Sequence, residues 1–262
     1  MTLEGTGLHG GAAVKVTLRT ASGPVVLAGN GWRSAVSELE VVSTARATTV
    51  QAPGGRGTVG TVEHALAAFA GLGVYEGVEI IADGPEMPLL DGGASRWCEA
   101  LASLSPRRRS PLLRVTRAYA IDVGPSRYEF APLDGVDVEV ALEIDDPRVA
   151  PAARWQGDPA DFADRIAPAR TFALFAEVEQ LLRRGLARHV DPASVVLIAP
   201  DAIHHAGRPF AADEPARHKL LDLIGDLYLK GGPPVGRVFA FRPGHAANAR
   251  ALARAIEDGA LA

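Results

Sequence analysis

The sequence predicts an α+β protein of two similar domains, each a β-sheet layered with a helix pair, with the helices sandwiched between the two outer sheets. Three observations lead to this prediction. In both halves of the chain, strand-like segments rich in β-branched residues are followed by segments with helical periodicity. A charged, proline-bounded stretch at 106–111 separates the halves. The halves also align on each other.

Residues 1–105 are assigned to the first domain. Its strand-like segments are "AAVKVTLRTA", "GPVVLAG", "ELEVVST" and "RATTVQA". The segment "TVEHALAAFAGLG" (61–73) is predicted to be a helix, because Val62, Leu66 and Phe69 recur at helical spacing and Thr61 is a suitable N-cap. A strand, "GVEIIADG", and a second helix, "GASRWCEALASL", complete the domain.

Residues 112–262 are assigned to the second domain. The segments "LLRVTRAYAIDV", "SRYEFAPL", "VDVEVALEID" and "ASVVLIAP" are predicted to be strands, and "DPADFADRIA" and "FALFAEVEQLLRRGLA" helices. The stretch "ARHKLLDLIGDLYLKGG" (216–232) is predicted to be a core helix, although it carries an imidazole, an ammonium and two carboxylates. The strand "GRVFAFRPG" and the helix "HAANARALARAIEDG" end the domain.

The alignment of the halves places the two central helices in equivalent positions. His64 falls on His218, and Gly71 falls on Gly225. A helix with an apolar face must bury that face against another element. Two such units would therefore stack helix layer on helix layer, which brings the His64 and His218 helices close together.

Composition excludes several classes of protein. The net charge of −4 offers no basic surface for nucleic acid. The single cysteine, Cys98, excludes a disulfide framework and a thiolate metal cluster, and it fits a reducing compartment. The N-terminal segment has no signal-peptide pattern, and no apolar run reaches the ~20 residues that span a bilayer. We expect a soluble, cytoplasmic protein without nucleic-acid partners.

The polar residues of the central helices suggest a metal site. His218 and Asp222 are four residues apart, so they project from one helical face. With His64 as a third ligand, a tetrahedral zinc ion would keep one position open for water, as catalytic sites do. Glu63 lies beside this ligand, where a general base for that water belongs. The alternative is an ordinary surface hydrogen bond between His218 and Asp222.

At these residues the sequence resembles a known family. The segments "TVEHALAAFAGLGV", "ARTFALF" (169–175), "RHKLLDLIGDLYL" and "RPGHAANARALARAI" look like the motifs of UDP-3-O-acyl-N-acetylglucosamine deacetylases, the zinc amidases of lipid A biosynthesis. The resemblance extends to "GTGLHGG" (5–11) and "GPEMPLLDGGASRW" (84–97), so it covers nearly the whole chain. It implies the two-domain fold with helices between outer sheets.

The resemblance also implies roles for the site residues. Glu63 corresponds to the general base, which takes a proton from the water that attacks the acetamide carbonyl. His245 corresponds to a protonated histidine that stabilises the oxyanion and then protonates the leaving amine. Asp226 corresponds to the carboxylate partner of that histidine, and an anionic neighbour favours imidazolium. The implied zinc ligands are His64, His218 and Asp222.

A second group of residues is implied to contact the substrate, a UDP-linked amino sugar. Thr171 corresponds to a hydroxyl that helps to hold the oxyanion. Lys219 corresponds to a contact with a substrate phosphate, and Arg242 stands where the family carries a basic residue. Phe172 belongs to the same motif as Thr171 and is expected to bind substrate. We expect a monomer with Zn²⁺ as its cofactor.

Two segments depart from the family pattern. The segment "ARHVDPAS" (187–194) replaces a Gly-Gly-Ser sequence in the insert that forms the passage for the acyl chain. Glycines let a backbone approach a ligand closely, so bulkier Arg188, His189 and Asp191 predict a narrowed passage and a weak dependence of kcat/KM on acyl length. The residues 145–147, "DDP", replace an aromatic motif expected against the uracil.

Three functions are therefore open from the sequence. The first is zinc-dependent hydrolysis of the acetamide of a UDP-linked 3-O-acyl-N-acetylglucosamine in lipid A biosynthesis. The second is the same chemistry on another N-acyl amino sugar. The third is a non-catalytic, zinc-binding homologue, which the complete set of acid–base residues argues against.

Overall fold

A computed structural model of the protein describes residues 1–176, 178 and 190–262. Among these residues, the first half of the chain forms eight strands and two helices. Their bounds are β1 Thr2–Thr6, β2 Ala13–Pro24, β3 Val26–Gly29, β4 Trp32–Ala35, β5 Glu40–Ser43, β6 Thr49–Gln51, β7 Thr58–Val59, α1 Glu63–Gly71, β8 Glu76–Ala82 and α2 Ser95–Ser103.

The described residues of the second half form eight more strands and two longer helices. Their bounds are β9 Tyr119–Val123, β10 Ser126–Ala131, β11 Val136–Ala141, β12 Ala152–Trp155, β13 Thr171–Leu174, β14 Val195–Ile198, β15 Ile203–His204, α3 Glu214–Tyr228, β16 Gly236–Phe241 and α4 His245–Glu257. Short helical segments span Pro159–Asp161 and Phe162–Ile166. Most of the helix predicted for 172–187 lies outside the described residues, and its first three residues end strand β13 instead.

The two large sheets have the same topology. The strand order is β1-β2-β8-β3-β4 in the first and β9-β10-β16-β11-β12 in the second. In both sheets the third and fourth strands are parallel and the other neighbours are antiparallel. In both halves a helix precedes the central strand and another follows it. The internal duplication inferred from the sequence is therefore present in the fold.

The large sheets are the outer layers and the helices lie between them. Along β10, buried Ser126, Tyr128 and Phe130 alternate with exposed Arg127 and Glu129, so one face of the sheet meets solvent. Every residue of α1 is buried, as expected of a helix covered on all sides. The predicted α+β class, with helices sandwiched between two sheets, is confirmed.

Two small sheets frame one end of the helix layer. The first, β5-β6-β7, is inserted between β4 and α1, and the second, β13-β14-β15, between β12 and α3. In the second sheet, Thr171 pairs with Val195 and Phe172 with Val196. Val62, which precedes α1, donates its backbone N–H to the carbonyl oxygen of Thr48, next to β6, and Phe172 of β13 packs against His218 of α3. Each small sheet therefore stands beside the N-terminal half of a central helix.

The two central helices approach each other at backbone distance. A Cβ atom added at Gly225 of α3 would lie 2.0 Å from the carbonyl oxygen of Glu63 in α1. The equivalent glycine of the first half, Gly71, lies against the ring of Phe162. Glycine at position 225 is therefore what allows the first turn of α1 to lie on α3.

A buried ion pair anchors the start of α3. Glu214, the first residue of the helix, accepts hydrogen bonds from Nε and the backbone N–H of Arg170 at 2.8 and 3.1 Å. Both side chains are 2% exposed. A carboxylate at a helix N-terminus also faces the positive end of the helix dipole. This pair fixes the segment before β13 next to α3.

Among the described residues, no helix is both long and apolar enough to cross a bilayer.

The Gly225 contact leads to a prediction about stability. Gly225→Ala forces Cβ onto the Glu63 carbonyl, and such overpacking lowers the free energy of unfolding by about 1–3 kcal/mol. Urea denaturation measures this loss. Gly244→Ala is the control, because nothing lies within 4 Å of a Cβ at that position, and its expected loss is below about 1 kcal/mol. Equal stability of Gly225→Ala and the wild type would contradict the close contact.

Candidate metal centre and active site

The three predicted ligands meet where α1 crosses α3. His64 is in the first turn of α1, while His218 and Asp222 are one turn apart on α3. Their ligand atoms all lie within 4.8 Å of one another. The Nε2 atoms of His64 and His218 are 3.6 and 3.5 Å from Oδ1 of Asp222. The contact between α1 and α3 thus joins residues that are 154 or more positions apart in the sequence.

The donor set fits a divalent metal ion. Among the described residues, Oδ1 of Asp222 is buried without a hydrogen-bond partner, which is costly unless something else satisfies it. Nδ1 of His218 is 3.0 Å from the carbonyl oxygen of Ala169, which can only accept. Nδ1 therefore carries the proton, and the lone pair of Nε2 is directed to the centre of the cluster.

The charges of these residues also suit a metal. Burial lowers the pKa of His218 to about 4, so its imidazole is neutral, the form that binds metal ions. Burial disfavours the ionised form of Asp222, but the Lys219 ammonium is the main cause that holds its pKa well below the ordinary value. Nζ of Lys219 lies 2.6 Å from Oδ2 of Asp222.

Glu63 stands beside the cluster with one oxygen fixed. The backbone N–H of Thr48 donates to Oε2 of Glu63 at 3.0 Å. The other oxygen, Oε1, is 3.7 Å from Nε2 of His245. Burial raises the pKa of Glu63 to about 7, which is the range of an effective general base at neutral pH.

His245 faces Glu63 and is held from behind by Asp226. Nδ1 of His245 is 2.9 Å from Oδ2 of Asp226. Burial lowers the pKa of this imidazole, but the carboxylates of Asp226, Asp222 and Glu63, Asp226 first among them, together outweigh burial and raise the pKa to about 9. Asn248 donates to the same carboxylate at 2.7 Å, and Tyr128 donates to Asn248 at 2.5 Å.

A cavity of about 740 Å³ opens above these groups. Its floor is polar and contains Glu63, His64, His218, Asp222 and His245. One wall is apolar and comes mainly from the second small sheet and its flanking residues. It consists of Leu8, Phe172, Ala173, Val178, Val190, Pro192, Val195 and Leu197. The remaining lining includes the cationic or imidazole side chains Arg46, His9, His204 and His205.

The structure places most of the predicted substrate contacts at this cavity. Thr171, Phe172 and Lys219 line it, and the ring of Phe172 packs edge-on against His218 with centroids 6.3 Å apart. Arg242 does not line it. Its guanidinium pairs with the carboxylate of Glu143, and both side chains are largely exposed.

The altered segment 187–194 lies partly outside the described residues, including Arg188 and His189. In its described part, Asp191 does not line the cavity, and its side chain accepts a hydrogen bond from the backbone N–H of Ala193. Val190 and Pro192 instead add apolar surface to the cavity. The described residues of this segment therefore contribute to an apolar wall.

Two residues of the site were missed by the sequence analysis. Thr48 bonds Glu63 and Asp226, but "RATTVQA" indicated only a strand. Asn248 bonds Asp226, and its position one turn after His245 is the signal that could have found it. Outside this pair, Glu86 fixes the loop at His9 by accepting hydrogen bonds from the backbone N–H groups of His9 and Gly10.

Comparison with known proteins agrees with this geometry. A family model described as UDP-3-O-acyl N-acetylglycosamine deacetylase (LpxC) matches residues 1–257. The UDP-3-O-acyl-N-acetylglucosamine deacetylase of Myxococcus xanthus is 33% identical over 271 residues, covering 98% of this chain and 84% of that relative. The deacetylases of Brucella melitensis and Brucella ovis are each 31% identical over 269 residues, covering 98% of this chain and 93% of the relative. The chain belongs to the LpxC family of UDP-3-O-acyl N-acetylglycosamine deacetylases.

Proposed function

We propose that this protein is a zinc-dependent deacetylase of lipid A biosynthesis that hydrolyses the acetamide of a UDP-linked 3-O-acyl-N-acetylglucosamine. One observation carries the proposal. A buried carboxylate, Glu63, and a buried imidazolium, His245, face each other beside the cluster of His64, His218 and Asp222, at the floor of a cavity lined by both polar and apolar residues. The names of the relatives supply the substrate class.

Zinc is the metal we assign to His64, His218 and Asp222. Two imidazole nitrogens and one carboxylate oxygen, with room for a further ligand, are typical of catalytic zinc sites. A zinc ion bound there would supply a Lewis acid that polarises the acetamide carbonyl and lowers the pKa of water. The hydrogen bond from His218 to the Ala169 carbonyl would orient the ligand, as such outer contacts do in metal sites.

The side chains around the metal set would carry the protons. Glu63 removes a proton from water as the water oxygen bonds to the acetamide carbon. His245 stabilises the developing oxyanion and then gives its Nε2 proton to the amide nitrogen as the C–N bond breaks. Acetate and the free amine leave. Thr171, which lines the same cavity, is assigned the second oxyanion contact.

The cavity wall supports an acylated substrate. The same cavity is lined by the polar groups of the site and by apolar residues that include Leu8 and Leu197, on which an acyl chain attached near the acetamide would lie. We therefore propose a working passage for the acyl chain; Arg188 and His189, on which the expectation of a narrowed passage rests, lie outside the described residues. Lys219 lies at the cavity, where an ammonium can contact phosphate, whereas the Arg242 guanidinium would have to leave Glu143 to do so.

The remaining assignments follow from the site. We propose a division of the chain into domains 1–105 and 112–262, which is supported because each large sheet takes its strands from one of these ranges. We propose a monomer, since one chain supplies the whole acid–base and ligand set. A UDP-linked substrate points to a cytoplasmic site of action, where nucleotide sugars are made.

The assignment of three zinc ligands predicts that each of them is needed for zinc binding. His64→Ala, His218→Ala and Asp222→Ala should each lose bound zinc, measured by elemental analysis after gel filtration, because two ligands hold zinc poorly. His205→Ala is the matched control, since this histidine lines the same cavity without belonging to the cluster. Any ligand variant that keeps one zinc per chain with unchanged affinity is removed from the ligand set.

The acid–base assignment predicts variants that keep zinc but lose rate. Glu63→Gln and His245→Gln should each lower kcat by about 10²–10⁴-fold. The wild-type rate should rise with pH as Glu63 ionises and fall as pH passes the pKa of His245, about 9, because the imidazolium is lost there. The carboxylates facing His245 are Glu63, Asp222 and Asp226. A His245→Gln rate that still fell at the same alkaline pKa would contradict the role of His245.

The apolar wall predicts a preference for acylated substrate. Each buried methylene contributes about 0.8 kcal/mol, so kcat/KM for UDP-3-O-acyl-N-acetylglucosamine should exceed that for UDP-N-acetylglucosamine by at least about tenfold. Acetate release from both compounds measures the ratio. Equal values would favour another N-acyl amino sugar as substrate, and zinc binding without acetate release from either would favour the non-catalytic homologue.

A further inference from the structure

We propose that Thr48 is a positioning residue for both the general base and the acid–base histidine. Its backbone N–H holds Glu63, and its side-chain hydroxyl holds Asp226, the carboxylate partner of His245. This inference rests on the proposed function. Thr48 comes directly before strand β6 and its side chain is buried among the charged residues at the cavity floor, with 2% of the residue exposed. The sequence pattern around Thr48 indicates only a strand, and its contacts reveal the role.

The backbone of Thr48 orients the general base Glu63. Its N–H donates to Oε2 of Glu63 at 3.0 Å, which leaves Oε1 free on the side of His245. Its carbonyl oxygen accepts a hydrogen bond from the N–H of Val62, the residue that precedes α1. Thr48 is therefore fixed to the start of the helix that carries Glu63. A carboxylate held by one oxygen presents the other in a defined direction.

The side chain of Thr48 holds Asp226, the carboxylate that contacts the general acid His245. Its hydroxyl donates to Oδ1 of Asp226 at 2.6 Å, across 178 positions of sequence. Among the described residues, Thr48 is the hydrogen-bond donor to Oδ1, while Asn248 and His245 contact Oδ2. Removing the hydroxyl would leave a buried carboxylate oxygen unsatisfied and the carboxylate free to rotate.

The direction of this hydrogen bond also fixes the His245 ring. A hydroxyl has one hydrogen, and here Asp226 takes it, so toward Nδ1 of His245 at 3.3 Å the Thr48 oxygen can only accept. Both neighbours of Nδ1, the Thr48 oxygen and the Asp226 carboxylate, are then acceptors. The Nδ1–H bond is retained on that side, and Nε2 faces Glu63 and the cavity, where the leaving nitrogen needs a proton.

Three variants test the role of the hydroxyl. Thr48→Val keeps the shape and the backbone N–H but removes the hydroxyl, and Thr48→Ser keeps the hydroxyl but removes the methyl group. Thr49→Val is the matched control, because the side chain of this neighbouring threonine makes no hydrogen bond among the described residues. Zinc content, kcat and KM are measured for each with UDP-3-O-acyl-N-acetylglucosamine.

We expect Thr48→Val to bind one zinc with KM within about threefold of wild type, and to lose about tenfold to a hundredfold in kcat, the effect of one hydrogen bond to a charged group. Thr48→Ser should recover kcat to within about threefold, and Thr49→Val should match wild type, since neither lacks the hydroxyl at position 48. If Thr48→Val does not fold, Thr48→Ala takes its place in the comparison with Thr48→Ser.

Three results would overturn the inference: unchanged kcat in the variants without the hydroxyl, a change confined to KM, or an equal loss of kcat in Thr48→Ser. Each of these presupposes an active wild type. A wild-type protein that binds zinc but releases no acetate would instead refute the proposed function, so the two failures are distinguishable.

Discussion

The whole site depends on one contact, the approach of the α1 and α3 backbones at Gly225 and Glu63. A side chain at position 225 would separate the helices, since its Cβ would fall 2.0 Å from the Glu63 carbonyl oxygen. Neither helix alone carries the metal set, because α1 supplies His64 and α3 supplies His218 and Asp222. The duplicated fold provides two equivalent helices, and the glycine lets the polar residues of both helices share one buried space.

The charged side chains in that buried space carry an excess of negative charge, which suits a site for a metal cation. Three carboxylates, Glu63, Asp222 and Asp226, face two cations, the Lys219 ammonium and the His245 imidazolium. With all five ionised the sum of their charges is −1. Buried charges are tolerated when they are paired or bind a metal. A divalent cation among these groups therefore offsets the excess of negative charge, and it also satisfies the unpartnered Oδ1 of Asp222.

The sequence predicted the parts of this site that repeat or follow helical spacing. His218 and Asp222 were recognised from their separation of four, and His64 from its alignment with His218, while His245 and Asp226 required the family resemblance. Thr48 could not be found in this way, because its hydroxyl reaches Asp226 only when the two halves pack across 178 positions. For Arg242, the sequence predicted a role and the structure shows a different contact. Its motif position implied a substrate contact, but the guanidinium pairs with Glu143, a partner that comes from strand packing and has no sequence signature.

The most direct test of this account is anomalous diffraction at the zinc edge from crystals of the wild-type protein. The account predicts one strong peak per chain between Nε2 of His64, Nε2 of His218 and Oδ1 of Asp222, the atoms that already surround a common point. A peak elsewhere in the cavity, for example between His9, His204 and His205, would show that the α1–α3 contact does not build the metal site. The absence of any peak in zinc-saturated crystals would contradict the metal centre itself.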